Sequence, residues 1–135
     1  MNEMTTLPPN EFLLLRTVAM PADTNPNGDI FGGWILSQMD LAGGILAKDI
    51  SQGRVATIAV DAMKFIKPVK VGDVVCCYGE VKRVGNTSIT LHLEAWVIPI
   101  WRPAASRQPF RVTEADFTYV AIDLEGNKRS LVLSQ

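Results

Sequence analysis

The feature that most constrains the fold is a helix with almost no polar side. From about Gly32 to Lys48, the residues Ile35, Leu36, Met39, Ala42, Ile45 and Leu46 recur at spacings of three and four, which predicts an α-helix. Trp34, Leu41 and Ala47 fill much of the remaining circumference. A helix apolar nearly all round has to be enclosed by other structure.

The enclosing structure is read from the rest of the chain. E-F-L-L-L-R-T-V from Glu11 predicts a short first strand, and the turn-rich A-D-T-N-P-N-G-D from Ala22 predicts a loop. After Gly53 come four long runs rich in β-branched and aromatic residues: R-V-A-T-I-A-V-D-A-M-K-F, D-V-V-C-C-Y-G-E-V-K-R-V, S-I-T-L-H-L-E-A-W-V and V-T-E-A-D-F-T-Y-V-A-I-D. Their short separations imply antiparallel neighbours. The expected architecture is α+β: a curved antiparallel sheet of about five to six strands wrapped around one long central helix. With 135 residues there is room for one domain, expected over residues 11–135 behind a flexible leader at 1–10.

Composition excludes several functions. Lys and Arg number 13 against 14 Asp and Glu, with no dense basic cluster, so no nucleic-acid partner is expected. No apolar run reaches the roughly 18 residues of a membrane span, and the N-terminus lacks the features of a signal peptide, so the expected location is cytoplasmic. Cys76 and Cys77 are adjacent on a strand and point to opposite faces, which suits two small buried hydrophobes. With one histidine and no C-x-x-C, neither a metal site nor a cofactor is expected.

Within the greasy helix one carboxylate stands out. Asp40 lies seven residues after Gly33, about 20° short of two full turns, so Gly33, Ser37, Asp40 and Gly44 form one stripe of small or polar residues. Gly43 is read as continuing that small-residue surface. A charge there costs several kcal/mol unless something uses or pairs it. At the helix start, glycines at 32 and 33 leave backbone N–H groups and the positive dipole end open to a ligand.

The stretch L-L-L-R-T-V-A-M-P-A-D-T-N-P-N-G-D-I-F-G-G-W-I-L-S-Q-M-D, the later K-F-I-K-P-V-K-V-G-D-V-V-C-C-Y-G and the V-G-N-T-S-I turn resemble the YciA type of hotdog-fold acyl-CoA thioesterase. The similarity runs from about Leu13 to Arg129 and departs in P-I-W-R-P-A-A-S-R-Q-P and in Asn25-Pro26-Asn27. It implies hydrolysis of acyl-CoA to free fatty acid and CoA, in hexamers built as trimers of dimers. Carried over by position, it makes Asp40 the catalytic carboxylate.

The physical reading beside the resemblance agrees. Thioester hydrolysis builds charge on the carbonyl oxygen, which the N–H groups of Gly32 and Gly33 would stabilise as an oxyanion hole. It also needs a base or nucleophile, and Asp40 suits either part. Gly33 and Asp40 are ~10 Å apart along one helix at ~1.5 Å per residue, so the expected site lies between two subunits, each lending its helix start to the other's Asp40. For the nucleotide, the candidates are Lys64 and Lys67 before the Pro68 turn, and Arg83 with Gly85, Asn86, Thr87 and Ser88. Asn27 and Ser37 complete the substrate-binding candidates. His92 and Asp116 alternate away from the apolar face and are expected at the surface or between subunits. Two other functions remain open: a hotdog hydratase or dehydratase, and a binding protein that senses acyl-CoA without cleaving it.

Overall fold

The computed structural model describes residues 6–131, so the first half of the expected leader and the last four residues lie outside it. Five strands, β1 (Leu13–Val18), β2 (Val55–Asp61), β3 (Val74–Val84), β4 (Ser88–Ile98) and β5 (Phe110–Ala121), form one sheet in the order β1-β3-β4-β5-β2. Every neighbouring pair is antiparallel. The single long helix α1 (Gly32–Ser51) follows β1 and precedes β2, so it crosses the sheet from one edge to the other.

Expected boundaries moved by a few residues. A short turn, Asn10–Phe12, precedes β1. The helix runs one turn past Lys48 and stops where Gln52 adopts φ 58° and donates its N–H to the Lys48 carbonyl. β2 ends at Asp61 rather than continuing to Phe65, because Ala62 takes a left-handed φ of 49° that no strand accommodates.

The core sits between helix and sheet. Ile35, Met39, Ala42, Gly43 and Ala47 are buried on one helix face, against Val75, Cys77, Leu91, Leu93 and Phe117 from the sheet. Full burial of one such aliphatic or aromatic side chain contributes roughly 1.5–3 kcal/mol. Gly43 belongs to this interface and not to the open stripe: a methyl group there would lie 2.3 Å from the Tyr119 hydroxyl oxygen and 2.8 Å from Leu93 Cδ1. Only glycine lets the helix approach the sheet so closely.

The opposite helix face is not enclosed by this chain. Leu41 is 60% and Ile45 52% exposed. The outer face of the sheet carries its own apolar cluster, Val74, Cys76, Tyr78 and Trp96, covered by Leu7, Phe12, Leu13 and Ile98. Cys76 and Cys77 do lie on opposite faces, and burial pushes the Cys77 thiol up to about 12.

Candidate active site

Asp40 is half-buried at the rim of the helix–sheet interface, and two hydroxyls hold one of its oxygens. Thr57 of β2 donates to Oδ1 at 2.7 Å and Tyr119 of β5 donates to the same oxygen at 2.9 Å. Tyr119 Oη also lies 3.1 Å from the Asp40 backbone carbonyl. Among the described residues Oδ2 accepts no hydrogen bond. Burial, followed by the Asp40 charge, raises the Tyr119 phenol far above its ordinary range, so it remains a proton donor. The cost of placing a carboxylate on this helix is therefore offset by two charge-assisted hydrogen bonds. Both partners are strand residues that the sequence reading did not single out. The available signal was Tyr119 itself, a phenol alternating inward with Phe117 and needing a partner for its polar tip.

A cleft of about 330 Å³ opens at Asp40, lined by Leu15, Leu41, Gly44, Ile45 and Val55, with Lys48 also on its wall. Its apolar lining suits a hydrocarbon chain attached to a group reacting at the carboxylate.

The start of α1 is uncapped. Phe31 occupies the N-cap without a side-chain hydrogen bond, and the Gly32 and Gly33 N–H groups have no acceptor among the described residues. Such a terminus is a ready anion site. The Phe65 ring closes over Gly32, where a methyl group would sit 3.2 Å from it, while Gly33 is exposed with open space around it. Ile30 donates to the Val69 carbonyl at 2.9 Å, which binds the loop before the helix to the segment after β2. In that loop Asn25 Oδ1 accepts the N–H groups of Asn27 at 2.9 Å and Asp29 at 3.1 Å, leaving Asn27 in an exposed turn. Ser37 is exposed on the helix and returns its hydroxyl to the Trp34 carbonyl at 2.7 Å.

The two nucleotide candidates do not meet within one chain. Lys67 lies over the Phe110 ring, 5.1 Å from its centre, at the start of β5, and Lys64 is nearby through the bond from Thr113 to its carbonyl. Lys67 lines a groove of about 300 Å³ together with Lys70, Arg102, Ser106 and Gln108. The turn Gly85, Asn86, Thr87 and Ser88 lies at the other end of the sheet, with the Asn86 and Thr87 carbonyls accepting from Leu131 and Ala121. Arg83 there borders a groove with Asp61, Lys82 and Thr90. Register places Phe110 opposite Val97 and Val120 opposite Ser88. At ~3.3 Å per residue, these ends are about 30 Å apart. The helix start shares the end that holds Lys67, and Asp40, bonded to Tyr119, sits mid-helix, ~12 Å further along α1 toward the Gly85–Ser88 turn.

His92 and Asp116 do leave the core face, but they face each other. His92 Nδ1 is 3.0 Å from Asp116 Oδ1, and Nε2 is 3.0 Å from Glu114 Oε1 and 3.3 Å from Glu94 Oε2. Hydrogen bonding to Glu94, aided by Asp116 and the neighbouring charges against the effect of burial, pushes the imidazole up to about 9.

Residues 27–99 match the family model described as "Thioesterase superfamily". The acyl-CoA thioester hydrolase YciA of Escherichia coli is 54% identical over 123 residues, spanning 91% of this chain and 92% of that protein. A hexameric thioesterase of Yersinia pestis superposes with a TM-score of 0.83 at 57% identity, covering 93% of this chain and 99% of that one. A hexameric broad-specificity acyl-coenzyme A thioesterase, solved as an Asp-to-Ala mutant enzyme, superposes with a TM-score of 0.84 at 55% identity, covering 89% and 86%. With this fold and these relatives across nearly its whole length, the chain belongs to the thioesterase superfamily, within the YciA type of hotdog-fold acyl-CoA thioesterases.

Proposed function

We propose that this protein hydrolyses acyl-CoA to a free fatty acid and CoA, with Asp40 as the carboxylate of the reaction. The observation that carries the reading is the held carboxylate: Oδ1 is fixed by Tyr119 and Thr57, and Oδ2 is free beside an apolar cleft. Acting as a base, Asp40 takes a proton from water whose oxygen bonds to the thioester carbon. The C–S bond then breaks and the CoA sulfur leaves with the proton that Asp40 returns. Acting as a nucleophile, its oxygen bonds to the thioester carbon as the C–S bond breaks and CoA leaves as the thiolate, and water then opens the acyl anhydride to release the fatty acid and restore Asp40. A single turnover in heavy-oxygen water bears on the choice, because an anhydride opened by water at the Asp40 carboxyl carbon leaves the label on Asp40 and the base route never does. In either route the carbonyl oxygen gains charge that the Gly32 and Gly33 N–H groups are suited to stabilise.

Those N–H groups belong to a second subunit in this proposal. Asp40 lies ~10 Å along α1 from Gly33, too far for one chain to bring both to one carbonyl, and the Arg83–Ser88 segment and Lys67 lie toward opposite ends of the sheet. A twofold axis that lays two α1 helices antiparallel brings one chain's Asp40 to the other's Gly33. The same operation brings one chain's Arg83 turn toward the other's Lys64–Lys67 segment, where both would meet CoA phosphates. The uncovered Leu41 and Ile45 support such a partner, and the hexameric relatives support assembly of three such dimers.

The test is thiol release from acetyl-, butyryl- and palmitoyl-CoA by the wild type and by Asp40→Asn, which keeps volume and polarity but removes the charge. The expected loss in kcat is at least a hundredfold, within the 10²–10⁴ typical of a positioned base, with KM little changed. Retention of more than about a tenth of wild-type kcat contradicts the assignment, and binding of all three thioesters without thiol release favours a sensor.

A further inference from the structure

We propose that Tyr119 is a positioning residue for this reaction, one that determines which oxygen of Asp40 meets the substrate. The inference rests on the reading of Asp40 as the reacting carboxylate. Tyr119 is 1% exposed, its ring stacked on Phe117 with centroids 6.4 Å apart, so the hydroxyl is delivered from a fixed platform. That hydroxyl has one proton and two acceptors, Asp40 Oδ1 at 2.9 Å and the Asp40 carbonyl at 3.1 Å.

The shared proton ties the carboxylate to the backbone of its own helix turn, which a surface partner would not do. An aspartate carboxylate otherwise rotates in a broad, roughly twofold well. Thr57 alone would leave it one anchor on an exposed stretch of edge strand; Tyr119 adds a second from β5, an interior strand where its side chain is buried. Gly43 is the other half of the device. The Tyr119 hydroxyl occupies the space a side chain at position 43 would take, 2.3 Å from the position of its first carbon. The glycine therefore opens the channel through which the hydroxyl reaches Asp40, and Oδ2 is the oxygen left to react.

A positional error of about 1 Å in a catalytic group costs up to a hundredfold in rate, so the effect should fall on kcat. Tyr119→Phe keeps the ring and removes only the hydroxyl. With butyryl-CoA and the intact assembly, kcat is expected to fall about tenfold while KM stays within twofold. Adding Tyr119→Phe to Asp40→Asn is expected to lower residual single-turnover activity no further, because its effect passes through the Asp40 charge. Gly43→Ala, which displaces the hydroxyl without deleting it, is expected to reproduce the kcat loss, and it decides the matter should Tyr119→Phe fail to assemble. An unchanged kcat in both variants overturns the proposal. So does a loss lying wholly in KM, or an equal loss with and without the Asp40 charge. A dead Asp40→Asn together with a fully active Tyr119→Phe removes the positioning role alone, whereas an active Asp40→Asn removes the reading beneath it.

Discussion

Asp40 and His92 show how neighbours decide what an ionisable side chain can do. Asp40 has hydroxyl donors on one oxygen and borders an apolar cleft, the arrangement its proposed role requires. His92 is surrounded on both ring nitrogens by carboxylates, an arrangement for holding a proton. The sign of its contribution follows. Its folded value of about 9 stands above the ordinary 6.5, so the protonated form is favoured by folding. The stability it adds is complete below pH 6.5 and is lost as pH rises toward 9. The difference in Tm between the wild type and His92→Gln should therefore be largest near pH 6 and vanish near pH 10. A difference that stays constant across that range would show that the imidazole is not the cation of this cluster.

Among the elements, the loop between β4 and β5 is held by one buried carboxylate. Asp73, fully buried in the turn just before β3, accepts the Trp101 indole N–H at 2.8 Å, an N–H of Arg102 Nη2 at 2.7 Å and the Lys70 backbone N–H at 2.9 Å. The anchored loop presents Arg102 over Phe110 beside Lys67. Asp73→Asn should lower stability by about 2 kcal/mol, because Arg102 then lacks its counter-charge. Faster amide hydrogen exchange through residues 99–109 should accompany it, measured by mass spectrometry; unchanged exchange there would mean that the loop is held by other contacts.

Elements dominated by local periodicity were legible in the sequence: α1 from its three-and-four spacing, and β3 and β4 from their unbroken β-branched runs. Ala62 is not, since nothing in its neighbours announces a left-handed backbone, and β2 therefore stops at Asp61, four residues short of the run of strand formers. The partners of Asp40 were also hidden. Thr57 and Tyr119 are 17 and 79 residues away, and only the pairing of β2 with β5 brings both beneath the helix. Gly43 lies four residues after Met39, on the buried face, and grouping it with the stripe of Asp40 follows its small size, whereas the spacing separates it from Gly44.

At the scale of the whole molecule, the single chain leaves apolar surface on two adjoining elements. Leu41 and Ile45 are exposed on α1, and Ile58 and Val60 on the edge strand β2. An unpaired edge with apolar side chains is a surface that a partner covers. In the proposed dimer the partner also completes the site, and mixing two inactive variants tests this. One carries Asp40→Ala. The other carries Gly33→Leu, a position where this chain offers open space, so the new side chain should block a neighbouring site without disturbing its own fold. With equal amounts exchanged at random, half of the dimers are mixed, and each mixed dimer has one site with neither defect, so about a quarter of wild-type activity should return. Activity no higher than that of the two parents, after exchange is verified by native mass spectrometry, would place Asp40 and the helix start of one site in the same subunit and contradict the account.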